Sequence, residues 1–401
     1  MSKMEAVVEP TQERNYLEGL FLPDAEEHLN LQFRGDERER FQKVKDRAVG
    51  NWERLRKGSF DLSWIHPPKE HLGAKARPSA RGLTWTDINK DPRYGTIPSK
   101  ASNLGFAPRG AYVSEEEEKL LPSMGYDVLN DHDVWADNVI SLYEEAKSRQ
   151  WNATSDIPWG NLKPLSEEIE IATSQLCTFL TQVEFVAGDF PSRWIWRIPN
   201  DFFEVKSFMS TQIVDEARHT EVFRKRALAN GGGLLKVAAA TEWGLKTLLD
   251  APDHTRGTFL LNTLGEGFVL TIFRAGEYLS MTDTDKEIFR RCMQDEARHV
   301  SYGVMQAKYF LEHHPNRKEA EDELNTYMDY AESVLLPALL FDPTVLEPFV
   351  MLFSGSVAKM DEGMDAFRGF WGMFLEEYFQ RCDRAGLNRR ELCKLPRELP
   401  F

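Results

Sequence analysis

Along most of the chain the apolar residues recur every three or four positions, and the alternating β-branched runs that make strands are nearly absent. That period predicts helices. The first 130 residues depart from it. Pro67-Pro68, Gly73, Pro78, Gly105 and Pro108-Arg109-Gly110 interrupt them, and they hold one clear helical stretch, roughly Glu37–Lys57. Residues 1–130 therefore read as an extended N-terminal arm and irregular cover. A helical region runs from about Asp133 to His314, and residues 131–315 are expected to form a four-helix bundle. Two further helices, near Glu319–Leu336 and Val345–Ala385, are expected to pack on it as a C-terminal layer, 316–401. Pro337 and Pro343 separate them, and Pro348 falls in the first turn of the second, where proline is tolerated. The fold class is all-α.

Composition narrows the setting. With 401 residues, 42% of them hydrophobic, the chain is long enough for one large domain or two modest ones. No apolar run approaches the roughly eighteen residues needed to cross a bilayer, and Met1–Arg14 is polar and charged, so neither a membrane span nor a secretory leader is expected. Cys177, Cys292, Cys382 and Cys393 show no CxxC spacing, which points away from a disulfide framework and from a cysteine zinc site. A reducing, cytoplasmic location is expected. The net charge of −15 excludes a general nucleic-acid binder, which needs a basic footprint.

One feature repeats. Asp215-Glu216-Ala217-Arg218-His219 returns 80 residues later as Asp295-Glu296-Ala297-Arg298-His299. Glu184, in Thr181-Gln182-Val183-Glu184-Phe185, precedes the first copy by 32 residues. Glu266, in Leu264-Gly265-Glu266-Gly267-Phe268, precedes the second by 30. A helix-loop-helix unit thus occurs twice. On a helix, positions three apart share a face, so Glu216 pairs with His219 and Glu296 with His299. The same stripes carry Met209, Ile213, Phe223 and Ala227 in one copy and Phe289 and Met293 in the other, while Leu176, Leu180 and Ala187 flank Glu184 and Phe259, Val269 and Phe273 flank Glu266. All six ionisable groups face the expected core.

Four carboxylates buried together would repel and take up protons. Two divalent ions balance them, and two neutral imidazoles complete the ligand set. Oxygen and nitrogen donors without thiolate suit iron or manganese. A glutamate from each of two helices plus Glu-x-x-His from each of two more is a known di-iron arrangement in helical bundles. A single Glu-x-x-His on an exposed, salt-bridged helix would be unremarkable chemistry; two matched copies with matched upstream glutamates are not explained that way.

Ligand heights give a check. Glu296 lies 12 residues beyond a capping box expected at Thr284-Asp285-Lys286-Glu287, and Glu266 lies 15 residues before Met281. At about 1.5 Å per residue these are about 18 and 22 Å, which agree. Glu216 lies 15 residues past a helix start at Asp201. Glu184 must then sit in a helix that continues through Gly188 and Pro191 to about Arg197, kinked rather than ended there. Asp215 and Asp295 are placed to support the metal-binding histidines from behind, with Arg218 and Arg298 neutralising them. Cys177 and Cys292 read as small packing residues, and His28, His66 and His132 as structural or exposed.

At these motifs the chain resembles the ferritin-like di-iron oxygenase and ribonucleotide reductase small-subunit superfamily, over about Asp133–Phe310. The D-E-A-R-H form and Gly265-Glu266-Gly267-Phe268 look most like hydroxylase subunits of bacterial multicomponent monooxygenases. The resemblance implies a ferritin-like bundle with Glu184, Glu216, His219, Glu266, Glu296 and His299 as iron ligands and catalytic residues. It implies two iron ions, with manganese able to take one site, and O2 as co-substrate. The expected reaction is hydroxylation, epoxidation or N-oxygenation of a small apolar or aromatic substrate. Electrons would come from a ferredoxin or flavin reductase partner, since the chain has no Gly-rich dinucleotide fingerprint; a homodimer is also implied. Phe223 replaces the radical-bearing tyrosine of the reductase subunits, and Leu270 with Thr271 next replaces the threonine found four residues after the third glutamate in the hydroxylases. Cys292 stands where the arylamine N-oxygenases place a third histidine. The alternatives are a ferroxidase or iron-storing ferritin-like protein, a reductase-like small subunit, and a structural bundle with a vestigial site. Phe185, Phe208, Phe223, Phe259, Phe268 and Phe273 are expected to line a cavity beside the metals.

Overall fold

The computed structural model describes residues 25–58, 60–230 and 232–400; Met1–Arg14 lies outside them. No β-strand occurs among the described residues, only three isolated bridges in the N-terminal region. Helix α1 spans Glu37–Lys57, as the periodicity predicts. After a mostly irregular stretch come α2 (Val139–Ser148), α3 (Glu167–Ile195) and α4 (Phe203–Ala229). Next is α5 (Ala239–Leu249), then a short helix His254–Thr258 that runs without a break into a π-helical segment, Phe259–Gly265, and on into α6 (Glu266–Leu279). The remainder is α7 (Asp283–His313), α8 (Arg317–Leu340), α9 (Pro343–Ser354) and α10 (Met360–Ala385).

Helices α3, α4, the π segment with α6, and α7 form the four-helix unit: α3 packs along α4, α6 along α7, and α7 closes against α4. Glu167, Glu168 and Glu170 occupy the first turn of α3, where carboxylates complement the helix dipole. Helix α3 continues through Pro191, as the ligand heights require, and stops two residues short of Arg197. Helix α7 starts earlier than the expected capping box. Its N-cap is Thr282, whose hydroxyl accepts from the Asp285 N–H at 3.0 Å and donates to the Asp285 carboxylate at 2.7 Å. Thr284 is buried inside the first turn and donates to Pro158 O at 2.7 Å.

The C-terminal layer differs from the expected two helices. Pro337 lies inside α8 instead of ending it, and the second helix is split in two. Asp342 caps α9 with Pro343 in its first turn, and Gly355, at φ +73°, ends it. Helix α9 packs on α3, α10 on α7, and α8 on α5. Glu332, wholly buried, fastens this layer: it accepts Tyr378 Oη at 2.6 Å, Arg389 Nη2 at 2.7 Å and the Lys394 N–H at 2.7 Å. One main hydrophobic core runs from Ala101 to Leu399 through bundle and layer alike. The N-terminal region is tied down by a buried ion pair, Arg109 with Glu204 of α4, to which Asn89 adds a 2.7 Å hydrogen bond.

Candidate metal centre

Each helix of the four-helix unit brings one part of a single buried cluster. Glu184 comes from α3, Glu216 and His219 from α4, Glu266 from the first residue of α6, and Glu296 and His299 from α7. All six are at most 2% exposed, in a region where an unpaired charge could not be tolerated. Their donor atoms form two overlapping groups. Glu184, Glu216, His219 and Glu296 make one, Glu216, Glu266, Glu296 and His299 the other, and within each group the donor atoms lie within 4.8 Å of one another. Glu216 and Glu296 belong to both, so they stand between two neighbouring ion positions. Each group could hold one ion.

The histidines present Nδ1 to the cluster. His219 Nδ1 is 3.2 Å from Glu216 Oε2, 3.2 Å from Glu296 Oε1 and 3.6 Å from Glu184 Oε2. His299 Nδ1 is 3.0 Å from Glu216 Oε1, 3.3 Å from Glu296 Oε2 and 3.7 Å from Glu266 Oε1. Close as these atoms are, Glu184 Oε1, Glu216 Oε1, both Glu296 oxygens and His299 Nδ1 have no aligned hydrogen-bond partner. Buried lone pairs converging without donors are what a cation between them would satisfy. The donor set therefore fits two hard or borderline divalent ions.

Behind the histidines the support is crossed. His219 Nε2 lies 3.3 Å from Asp295 Oδ2, and His299 Nε2 lies 3.2 Å from Asp215 Oδ2, so each aspartate serves the histidine of the other pentapeptide. A carboxylate on Nε2–H fixes the tautomer that leaves the Nδ1 lone pair free. Arg218 and Arg298 bridge both aspartates, Arg298 Nη2 reaching Asp215 Oδ2 at 2.9 Å and Asp295 Oδ1 at 2.5 Å. The two arginines thereby cancel the two aspartates, which leaves four glutamate charges for two divalent ions. Asp295 is held well below the usual carboxylate range: burial acts against this, but His219, Arg298 and Trp151 more than offset it. Burial, then the neighbouring Glu216, pushes the Glu184 carboxyl well up, and burial does the same to Glu266. Burial also raises the Cys292 thiol, to about 12, so it stays a protonated packing residue beside His219.

Several contributors escape a motif-based reading. Gln212 and Asn262 donate to the two oxygens of Glu266 at 2.8 and 2.7 Å. Each sits one turn before a ligand glutamate, at the fourth residue back from Glu216 and Glu266 respectively, which is the signal that could have found them. Trp151 Nε1 donates to Asp295 at 2.7 Å and Gln150 accepts from Arg218 at 2.5 Å; both lie just beyond α2, outside the repeat, and nothing in the sequence marks them. Glu266 is thus held by two amides, while Glu184 Oε1 has no hydrogen bond. The two ion positions are inequivalent.

The aromatic residues do not all behave as expected. Phe185 is 53% exposed and takes no part. Phe268 turns to α10, with ring centroids 4.9 Å from Phe374 and 6.0 Å from Phe370. Phe273 does reach His219, at 6.3 Å, and packs with Phe223 and Phe289; Phe208 lies 6.5 Å from His299. An apolar cavity of about 60 Å³ is bordered by Leu176, Ile272, Phe289, Phe349 and Phe370. None of the six metal-site residues borders it, and Phe273 with Phe289 stands between it and His219. Thr271 points away from the site, its hydroxyl donating to Gly267 O and to Glu377 at 3.0 Å each.

No protein-family model matches the chain, and no curated protein does. Solved structures do. A structure of R2-like ligand-binding oxidase with aerobically reconstituted Mn/Fe cofactor is 18% identical over 62% of this chain and 93% of that one, with a TM-score of 0.48. Another, with aerobically reconstituted metal cofactor after photoconversion, is 17% identical over 64% and 95%, with a TM-score of 0.49. The helices described above form a four-helix unit whose converging carboxylates and imidazoles could hold two metal ions.

Proposed function

We propose that the chain is a non-haem di-iron oxygenase: Glu184, Glu216, His219, Glu266, Glu296 and His299 bind two iron ions, or one iron and one manganese, and the centre uses O2 and external electrons to oxidise a small organic molecule. The observation that carries the reading is the pair of overlapping buried donor groups sharing Glu216 and Glu296. Bound there in the reduced state, two such ions would supply the chemistry of dioxygen activation. The protein's own part is to hold the donors. Asp215 and Asp295 keep the imidazole protons on Nε2, Gln212 and Asn262 fix Glu266, and Glu184, whose Oε1 has no hydrogen bond, would hold an ion with less restraint than Glu266. Phe208, Phe223 and Phe273 keep water from the imidazole side. A substrate with an apolar or aromatic body fits this lining, and the 60 Å³ cavity beyond Phe289 is where it would enter the bundle after side-chain movement. The reductant would be a separate ferredoxin or flavoprotein.

The test is metal analysis of reconstituted protein together with oxygen uptake under a chemical reductant. Two ions per chain are expected, and oxygen uptake coupled to an oxidised organic product. Glu216→Ala and Glu296→Ala should each abolish the uptake, with helix content by circular dichroism retained. A single zinc, no metal, or mineralised iron with no organic product would overturn the proposal.

A further inference from the structure

Helices α6, α7 and α10 enclose an open groove of about 590 Å³ on the outer side of the metal-site helices. Its floor is apolar, with Leu270, Val300, Val304 and Met305. Its walls are cationic: Arg274, Lys308, Arg381 and Arg384 face a single carboxylate, Glu377. In a chain of net charge −15 such a concentration of positive charge runs against the background. Glu377 neutralises it only in part, and Lys308 is drawn to Glu312 at 3.9 Å, so Arg381 and Arg384 carry most of the charge left for a ligand. Glu377 is engaged by Arg274 and by the Thr271 hydroxyl, and its nearer oxygen stays 4.0 Å from Arg381 Nη1.

Arg381 is the unusual member. Its side chain is 8% exposed, its Nε donates to Thr263 O at 3.0 Å, and its Nη2 has no hydrogen-bond partner. Burial lowers its pKa to about 10, which still leaves it protonated at neutral pH. A buried guanidinium with an unused N–H is costly unless an acceptor completes it. Nη2 itself is packed against Gly267, but Arg381 also lines the groove, so an oxyanion held there would pair with its guanidinium charge while the apolar floor covers a hydrocarbon body attached to it.

We propose that this groove binds a small organic carboxylate, its head group on Arg381 and Arg384 and its apolar body on Leu270, Val300 and Val304. Its place is significant for the centre. Val300 follows His299, and the Arg381 guanidinium lies over Gly267, where a Cβ would come within 2.6 Å of it; Gly267 follows Glu266. The bound acid would lie one residue in sequence from two of the six metal-site residues, on the face away from them. The inference does not depend on the metal reading, because binding can be measured without metal.

Calorimetric titration of the metal-free full chain tests it with three probes. Phenylacetate carries both charge and apolar body, 2-phenylethanol the body alone, and inorganic phosphate the charge alone. Phenylacetate is expected to saturate, with each of the others at least about tenfold weaker. Arg381→Gln should weaken phenylacetate about tenfold or more. Arg384→Ala, at an exposed position that the fold does not need, should weaken it several-fold, and Glu377→Gln should tighten it by removing the competing carboxylate. Phosphate binding as tightly as phenylacetate would reduce the site to a charge trap and overturn the proposal. So would phenylacetate binding indifferent to Arg384→Ala and Glu377→Gln, or no binding of any probe.

Discussion

His219 and Asp295 come from different copies of one pentapeptide, yet His219 Nε2 meets the Asp295 carboxylate at 3.3 Å inside the bundle. Asp295→Asn removes the charge that holds the His219 tautomer while leaving His299 its own aspartate. The ion position served by His219 should lose about 10- to 100-fold in affinity, and that served by His299 much less. Metal titration followed by Mössbauer spectroscopy distinguishes the two positions. Equal weakening of both would contradict the crossed arrangement.

The Arg381 guanidinium packs against Gly267 of α6, where an added Cβ would lie 2.6 Å from Arg381 Cζ. Gly267→Ala should destabilise the protein by about 1–3 kcal/mol through displacement of that side chain. Combined with Arg381→Ala, the costs should fall short of additive, because the second change removes the clash created by the first. Urea unfolding of the two single variants and the double variant measures this.

Phe223 packs between Phe273 and Phe289, with no phenol at that place to oxidise. Tyr302 is buried beside Phe208, with ring centroids 4.9 Å apart, and its hydroxyl donates to the backbone carbonyl of Val134. Burial raises its pKa, and a carbonyl is no base for its proton. Oxygen exposure of the reduced, metal-loaded protein should therefore give no long-lived tyrosyl signal in electron paramagnetic resonance.

His254 supplies a pH dependence away from the metals. It is buried against Trp194, bonded through Nδ1 to Asp133 O at 2.9 Å, and burial lowers its pKa to about 4. Between its unfolded value near 6.5 and about 4, the unfolded chain binds a proton that the folded chain refuses. Stability is thus unaffected above about pH 6.5 and falls as pH drops through that window, by up to about 3 kcal/mol. His254→Gln keeps a donor but cannot titrate, so its unfolding free energy should lose less between pH 7 and 4.5 than that of the unsubstituted protein.

What could be read from the sequence follows from periodicity and spacing. The four site helices and the six side chains that converge came from apolar stripes and the duplicated pentapeptide, and the continuation of α3 through Pro191 from the need to match ligand heights. Features set by tertiary contact did not. The crossing of Asp215 and Asp295 depends on how α4 and α7 face each other, which spacing within one helix cannot show. Phe185 shares a helical face with neither the site nor the core, because α3 is open to solvent there. Gly355 ends α9 through a left-handed turn that a long apolar period conceals, and Thr282 outcompetes Thr284 as a cap because the latter's hydroxyl is drawn to Pro158.

The π segment Phe259–Gly265 makes the aim of Glu266 a matter of counting. Each residue of an α-helix turns the chain by about 100°, and a π turn houses more residues than an α turn over the same path. His254 and Asp253 anchor one end of this helix, and Glu266 opens the other. Removing one residue between them would let the segment relax to regular helix with Glu266 close to its present aim, whereas winding the same residues as regular helix would swing it by about a third of a turn relative to that anchor. Almost any substitution of similar volume within the segment would leave the phase intact. The aim of the carboxylate therefore depends on the extra residue and the wide turn being kept or lost together: a change that tightens the turn at constant length should disturb the site more than one that removes the residue as the turn tightens.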